Sequence, residues 1–217
     1  MTFEEGRNIA KKMWDELPST KLDRDKITYD NWLDVFLDEI NKCKTPVIDL
    51  GCGSGNDTLY LIEKGKEVIP CDFSQNTINN IIKNFPEVNE AKCFDMVNGL
   101  PFSDNYTDII IADLSLHYFS KKDTIKVIED IKRVLKKDGL FIFRVNSMKD
   151  VNYGAGEGEE VERHFYKLED GTYKRFFDKE DIEEFFCKYE IIYLEESTMN
   201  RYEKFKVTWA GAIRLID

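Results

Sequence analysis

Apolar residues follow two alternating patterns between residues 45 and 147. Short runs that are apolar at nearly every position predict strands buried on both faces, while apolar side chains recurring every three or four positions predict helices. The predicted strands are residues 46–50, 67–71, 91–94, 108–112 and 140–143. Helical spacing follows them at Leu59, Leu61 and Ile62, at Ile78, Ile81 and Ile82, and at Ile125, Ile128, Ile131 and Leu135. Alternation of this kind predicts a parallel sheet wound with helices.

The segments that flank this core have a different character. Before residue 45 the pattern predicts two amphipathic helices, over residues 3–17 and 24–42, separated by Pro-Ser-Thr at 18–20. After residue 147 comes an acidic loop with three glycines, residues 152–158. Long irregular segments inside a compact domain are typically functional, so we expect the N-terminal helices and residues 148–158 to form a lid that selects the substrate.

The remaining C-terminal residues predict a hairpin, a helix and two strands. Runs at 161–166 and 172–177 flank a Glu-Asp-Gly turn and are expected to pair. A helix is expected to start at Asp178, and strands follow at 191–194 and 205–209. In the last run apolar and polar residues alternate, which is typical of an antiparallel strand with one solvated face.

Charge and hydropathy exclude several classes of protein. The 217 residues include 42 acidic and 31 basic ones, for a net charge of −11, and most of the excess lies between residues 149 and 200. Because an acidic surface repels phosphate backbones, the sequence predicts no nucleic-acid partner. No apolar run approaches the ~20 residues that a membrane helix needs, so no membrane partner is expected.

The N-terminus and the cysteines indicate the compartment. No apolar stretch follows a basic one at the start of the chain, as a secretory signal would require. The five cysteines form no C-x-x-C pair, so we expect neither a metal site nor a disulfide framework. These features favour a soluble protein of the reducing cytoplasm.

The strongest chemical signal is the sequence Val-Ile-Asp-Leu-Gly-Cys-Gly-Ser-Gly-Asn at residues 47–56, a strand that runs into a glycine turn and then a helix. Glycines there let a ligand lie against the main chain, and the start of the helix offers free N–H groups. A dinucleotide fingerprint, G-x-G-x-x-G, would require glycine where Asn56 stands, and the Gly-Lys-Ser/Thr of a P-loop is also missing.

These residues resemble the first motif of the class I S-adenosylmethionine-dependent methyltransferases, which is an acid, a hydrophobe and G-x-G-x-G. The resemblance continues at the expected intervals along the chain. Asp72 matches the acid that holds the ribose diol, Asp95 with Met96 matches the pair that reads adenine, and Asp113 matches the position beside the methionine moiety. The cofactor-binding residues that the resemblance implies are Asp49, Gly51, Cys52, Gly53, Gly55, Asp72, Phe73, Asp95, Met96 and Asp113.

The resemblance also implies a fold and a domain plan. The fold would be α/β, the Rossmann-like three-layer sandwich of class I methyltransferases, with a seven-stranded, mostly parallel sheet whose last strand is antiparallel. Residues 1–217 would form a single methyltransferase domain. Its parts would be an N-terminal helical lid (1–44), a cofactor-binding core (45–147), a loop and hairpin insertion (148–177) and a C-terminal helix with strands (178–217).

The implied function is transfer of a methyl group from S-adenosyl-L-methionine to O, N or S of a small molecule, without a metal. In its motifs the chain is most similar to small-molecule methyltransferases of the ubiquinone-biosynthesis and tellurite-resistance types. We therefore expect a cytoplasmic enzyme, monomeric or homodimeric, whose partner is a small-molecule methyl acceptor.

Candidate residues for the acceptor side follow the fourth and fifth strands. Histidine titrates near neutrality, so His117 is a candidate for removing a proton from the acceptor, with Tyr118 beside it. The alternative for His117 is a loop residue that packs or caps. Arg144, Asn146 and Tyr153 are candidates for orienting a polar substrate.

Three other functional classes stay open. The first is a methyltransferase acting on protein or nucleic acid, which the charge disfavours, as does the absence of Asn/Asp-Pro-Pro-Tyr at residues 113–116. The second is a protein that binds S-adenosylmethionine without catalysis. The third is a nicotinamide oxidoreductase, which the glycine spacing disfavours.

Overall fold

The computed structural model describes residues 2–16 and 23–215, in which a seven-stranded sheet lies between helices. The strands of this sheet are β1 (Val47–Leu50), β2 (Val68–Asp72), β3 (Lys92–Cys93), β4 (Thr107–Asp113), β5 (Leu135–Asn146), β9 (Tyr189–Met199) and β10 (Lys206–Leu215). Their order is β3-β2-β1-β4-β5-β10-β9, and β10 is antiparallel to both of its neighbours while the other pairings are parallel. The predicted α/β sandwich, with its last strand antiparallel, is confirmed.

Six α-helices connect or flank these strands within the described ranges. They are α1 (Phe3–Glu16), α2 (Leu37–Lys42), α3 (Asn56–Glu63), α4 (Gln75–Asn84), α5 (Lys121–Val134) and α6 (Lys179–Phe185). Side chains before three of them accept from free backbone N–H groups: Ser74 from Thr77, Ser120 from Asp123 and Asp178 from Asp181. Such caps compensate the first turn of a helix, whose N–H groups have no partner within the helix.

The N-terminal segment differs from the two predicted helices. α1 forms as expected, although the predicted last residue, Leu17, and the separator at 18–20 lie outside the described residues. The predicted helix over 24–42 is wrong, because only two 3₁₀ turns, Arg24–Lys26 and Asn31–Phe36, precede the short α2. Between the turns the chain is extended, and the side chain of Asn56 donates to the carbonyl of Thr28. Contacts of this segment with other parts of the fold thus override the helical periodicity.

The predicted hairpin is present within a small second sheet. This sheet consists of β6 (Glu159–Glu162), β7 (Phe165–Lys167) and β8 (Tyr173–Arg175), and β7 pairs antiparallel with β8. The run at 161–166 is divided into two strands because His164 has φ of +54° and turns the chain between them. β9 and β10 are both longer than the sequence predicted.

Each face of the central sheet buries a separate set of apolar side chains. On one face Phe143 stacks on Phe186, which follows α6, with ring centroids 4.7 Å apart. On the other face Ile142 packs with Leu33, which precedes α2, and with Tyr60, which lies in α3. The alternation along β5 therefore directs neighbouring residues to opposite layers. None of the described helices combines the length and the apolar character needed to cross a membrane.

Close packing between β10 and β5 depends on Gly211. A Cβ atom placed on this residue would lie 2.4 Å from Cζ of Phe143 and 2.9 Å from two more atoms of that ring. We expect Gly211→Ala to lower the free energy of unfolding by about 1–3 kcal/mol, the usual cost of overpacking. Denaturant unfolding measures this loss. In the double variant Gly211→Ala/Phe143→Leu the loss should be smaller than the sum of the single ones, and strict additivity would contradict the proposed clash.

Candidate functional site

A cavity of about 390 Å³ opens where the carboxyl ends of β1 to β4 meet, the edge at which open α/β sheets bind ligands. Nine of the ten predicted cofactor-binding residues contribute to its wall, and the exception is Gly55. Residues that the sequence did not single out for binding complete the wall, and among them are Arg7, Lys11, Lys26, Asp57, Arg201 and Tyr202.

The three glycines of the turn have different structural roles. All three have positive φ values, which side chains of L-residues rarely adopt. A Cβ atom on Gly51 would lie 2.4 Å from Cβ of Ser115, and one on Gly55 would lie 2.6 Å from the Phe85 ring. A Cβ on Gly53 would meet nothing within 4 Å. Gly51 and Gly55 thus permit close packing, whereas Gly53 leaves the cavity free beside the main chain.

Asp72 is held at the end of β2 by two backbone donors. Its Oδ2 accepts from the N–H of Gly53 at 3.1 Å, and its Oδ1 accepts from the N–H of Ser74 at 2.9 Å. Ser74 caps α4. Burial raises the pKa of Asp72, although the two N–H donors oppose this change. The carboxylate is therefore fixed in orientation and faces the cavity with its remaining lone pairs.

Asp113 is the centre of a buried ionic cluster. The guanidinium of Arg144 donates to both of its carboxylate oxygens at 2.7 Å, and Nη2 of Arg201 donates to Oδ2 at 2.9 Å. Arg144 also donates to both oxygens of Asp30, at 2.6 and 3.2 Å. Burial opposes ionisation of Asp113, but the two arginines outweigh it and hold its pKa at about 2.

In two further acids of the cavity wall the pKa is raised, whereas that of Asp113 is lowered. Burial raises the pKa of Asp49 to about 7, and the charges of Asp113 and Asp72 raise it further. The Thr58 hydroxyl donates to Asp49 at 2.6 Å and opposes this rise. Burial also raises the pKa of Asp57 well above its usual range. Both carboxyl groups thus hold protons more tightly than exposed ones do, and a cationic ligand would favour their ionised form.

Helix α1 lies against the cavity and is tied to its wall. Nζ of Lys11 donates to Oδ2 of Asp95 at 2.6 Å, and the indole N–H of Trp14 donates to the Tyr118 hydroxyl at 3.0 Å. Asp15, in the last turn, accepts from the Ser74 hydroxyl. α1 therefore contacts residues that follow β2, β3 and β4.

The two catalytic candidates lie in different surroundings. Tyr118 belongs to the cavity wall. His117 is not part of that wall, is only 3% exposed, and its Nδ1 has no hydrogen-bond partner among the residues described. Burial lowers the pKa of His117 well below its usual range, and Lys174 and Lys206 add to the effect. As placed, the imidazole is neutral at physiological pH and does not line the cavity.

The three substrate-binding candidates also lie outside the cavity wall. Arg144 is engaged by Asp30 and Asp113, as described above. Asn146 is fully buried and neither of its side-chain polar atoms has a partner in the described ranges. The Tyr153 hydroxyl donates to the carbonyl of Lys204 at 2.9 Å. Their roles toward a substrate stay predictions.

One group of potential metal ligands is found in the described residues, namely His164, Asp178 and Asp181. Nδ1 of His164 lies 2.7 Å from Oδ2 of Asp181, and Arg163 forms ion pairs with Asp178 at 2.8 Å and with Asp181 at 3.1 Å. The two aspartates also form the capping box of α6. Arg163 thus already pairs with both carboxylates, and none of these residues lines the cavity.

Comparison with known proteins places this geometry in a family. Residues 48–143 match the family model described as a methyltransferase domain. The chain is 21% identical to a solved S-adenosylmethionine-dependent methyltransferase from Clostridium acetobutylicum, with a TM-score of 0.66 over 97% of this chain and 99% of that one. Residues 48–143 are thus a methyltransferase domain, and the chain has the fold of S-adenosylmethionine-dependent methyltransferases, as the sequence predicts.

Two curated relatives are named for the substrate that they methylate. The methyltransferase is 30% identical over 148 residues to the tRNA N(3)-methylcytidine methyltransferase Mettl2 of Drosophila melanogaster, a match that covers 63% of this chain and 45% of the relative's length. It is 24% identical over 197 residues to the tRNA N(3)-methylcytidine methyltransferase trm141 of Schizosaccharomyces pombe, covering 83% of this chain and 79% of the relative.

These relatives correct one prediction from the sequence. The expectation of a small-molecule acceptor and of no nucleic-acid partner is wrong, because both relatives are named for methylation of tRNA. The net charge of −11 misled because it is a sum over the whole chain, while nucleic acid is bound by a local patch.

The glycine turn provides a test of cofactor contact in this methyltransferase. We expect Gly53→Ala to weaken S-adenosylhomocysteine binding at least tenfold, because the methyl group enters the cavity, while the positive φ costs about 1–2 kcal/mol of stability. Gly51→Ala should lower the melting temperature more, because its Cβ also clashes with Ser115. Calorimetry and thermal unfolding measure the two effects. Normal binding by Gly53→Ala would show that the turn does not touch the cofactor.

The raised pKa of Asp49 predicts a pH dependence of donor binding. Below pH 7 the carboxyl group is mostly protonated in the ligand-free methyltransferase, and it must ionise to face the positively charged donor. Affinity for S-adenosylmethionine should therefore rise with pH, by up to about tenfold per unit below 7, and level off above it. The matched variant Asp49→Asn, which cannot ionise, should bind more weakly and with a flatter profile. An unchanged slope in that variant would assign the titration to another group.

Proposed function

We propose that the protein transfers a methyl group from S-adenosylmethionine to a base of RNA. The observation that carries the transfer is the joint presence of Gly53, Asp72, Asp95 and Asp113 in one cavity at the carboxyl edge of the sheet. The names of the two tRNA methyltransferases to which the chain is similar support the RNA acceptor. The chain spans 45% of the length of the first of them, so the RNA acceptor is our proposal for this chain.

The cavity residues fit the proposed donor. The open space beside Gly53 admits a ligand against the main chain, and Asp72 and Asp95 present carboxylate oxygens that suit a ribose diol and an adenine amine. The donor supplies an electrophilic methyl group on a sulfonium. Asp49, Asp57 and Asp113 would surround the cationic end with carboxyl groups in a buried site, where such interactions are strongest.

The acceptor side of the cavity is largely aromatic. Trp14, Tyr118, Phe119 and Tyr202 contribute to its wall. Aromatic faces are the usual partners of unstacked bases in RNA recognition. A ring nitrogen with an in-plane lone pair can attack a methyl group without first losing a proton, so this reaction requires no general base. The buried, neutral state of His117 is compatible with that chemistry.

Helix α1 would act as a lid over the donor, as the predicted domain plan has it. Its Lys11 occupies one oxygen of Asp95, the residue expected to read adenine. Its Trp14 reaches Tyr118 on the acceptor side. A helix that contacts both halves of the cavity can exclude water from the reacting groups and bring the two substrates together.

A methyl-transfer assay tests this function. Incubation with methyl-labelled S-adenosylmethionine and unmodified transfer RNA should give a methylated nucleoside, detected by mass spectrometry after digestion. Asp72→Ala should lower the rate at subsaturating donor roughly tenfold to a hundredfold, because hydrogen bonds to a charged acceptor are lost. The matched variant Asp104→Ala, in which an exposed ion pair with Arg133 is removed, should leave the rate unchanged. Donor binding without any methylated nucleoside would contradict the RNA acceptor.

A further inference from the structure

Arg201 contributes to the cavity wall although it belongs to none of the sequence motifs. It lies in the connection between β9 and β10, 88 residues from Asp113 along the chain. Its side chain is 14% exposed, so most of the guanidinium is withdrawn from solvent. Such a group needs hydrogen-bond partners for all of its N–H groups, because a buried unpaired donor is costly.

The ionic cluster leaves Arg201 incompletely paired. Nη2 donates to Asp113, but Nη1 has no hydrogen-bond partner in the described part of the chain. The nearest carboxylate oxygen that forms an ion pair with Nη1 is Oδ1 of Asp30, at 3.7 Å, which is too long for a hydrogen bond. Asp30 and Asp113 both bond to Arg144, which uses two oxygens of each. Of the two arginines in this cluster, Arg201 is therefore the one with an unpaired donor.

The position of Arg201 indicates which substrate would complete its bonding. Asp113, its ion-pair partner, ends β4, whereas Asp72 ends β2 and Asp95 follows β3, both on the other side of β1. Arg201 therefore lies at the β4 end of the cavity, away from the acids expected to hold adenosine. Tyr202 follows it in the chain and lines the same cavity, and the guanidinium carbon is 5.6 Å from the centroid of the Tyr202 ring.

We propose that Arg201 and Tyr202 form the subsite for the acceptor, with the Tyr202 ring as a stacking face and Arg201 as donor to a carbonyl oxygen of a flat heterocycle. A guanidinium is suited to such an oxygen because its N–H groups lie in one plane. The chemical class of the acceptor is then a base that carries a keto oxygen beside the methylated nitrogen. This inference rests on the proposed function and identifies the part of the acceptor that is recognised.

A subsite role and a purely structural role of Arg201 predict different effects when the residue is replaced. Asp113 keeps two hydrogen bonds from Arg144 when Arg201 is replaced, so the fold should persist although the cluster loses one positive charge. Replacement should thus affect the acceptor far more than the donor. Lys204 lies in the same connection and is exposed, and Lys204→Gln is the matched control.

The experiment compares Arg201→Gln, Arg201→Lys and Lys204→Gln with the unmodified protein. We expect Arg201→Gln to lower kcat/KM for transfer RNA roughly tenfold to a hundredfold, and to change the Kd of S-adenosylhomocysteine less than threefold. Arg201→Lys should restore part of kcat/KM, since it keeps the charge without the planar arrangement of donors. Lys204→Gln should match the unmodified protein in both measurements.

A binding measurement separates this inference from the proposed function. Free cytidine, which carries a keto oxygen beside a ring nitrogen, should bind the protein loaded with S-adenosylhomocysteine, and Arg201→Gln should abolish this signal in saturation-transfer NMR. If cytidine binds in this way but RNA is not methylated, the proposed function fails while the subsite stands. A tenfold loss of S-adenosylhomocysteine affinity in Arg201→Gln would assign Arg201 to the donor instead. Unchanged kcat/KM and unchanged cytidine binding would make it only a partner of Asp113.

Discussion

The arrangement of the site depends on the ion pairs that the buried carboxylate of Asp113 forms with Arg144 and Arg201. It ends β4, receives Arg144 from β5 and Arg201 from the β9–β10 connection, and through Arg144 is linked to Asp30 of the N-terminal segment. Four separate parts of the chain thus meet at one pair of acids and one pair of arginines. Removing one partner of a buried pair typically costs about 3–5 kcal/mol, because the remaining charge is left uncompensated. The cavity wall is therefore held by charge as well as by packing.

The same cluster explains why the N-terminal segment is not helical where the periodicity predicts a helix. Asp30 must reach Arg144, and Trp32 lies with its ring centroid 4.4 Å from the guanidinium carbon of that residue. The indole N–H of Trp32 also donates to Asp57 at 3.0 Å. An uninterrupted helix over residues 24–42 would forgo contacts that satisfy buried charges. Their free energy exceeds the few tenths of a kcal/mol that helix propensity contributes per residue.

The sheet, and the grouping of most candidate donor-binding residues at one cavity, could be predicted from the sequence because both depend on local patterns in the chain. Strand periodicity and the spacing of Asp49, the glycines and Asp72 are properties of short segments, and the carboxyl ends of parallel strands then bring the motifs together. Arg201 was missed because its partner Asp113 is 88 residues away and no periodicity connects the two. The different roles of Gly51 and Gly53 could not be predicted from the sequence either, because they depend on which atoms a Cβ at each position would contact.

The acidic composition misled for a related reason: it does not report where each charge lies. Asp49, Asp57, Asp72 and Asp113 line the cavity, where they suit a cationic donor. Many other acids belong to β6, α6 and β9, which are outside the cavity wall. Arg7, Lys11 and Lys26, by contrast, all line the cavity, and Lys26 is 68% exposed with only a 4.0 Å ion pair to Asp23. Phosphate contacts position a nucleic acid locally, so the charge around a binding site decides such contacts more than the sum over the chain.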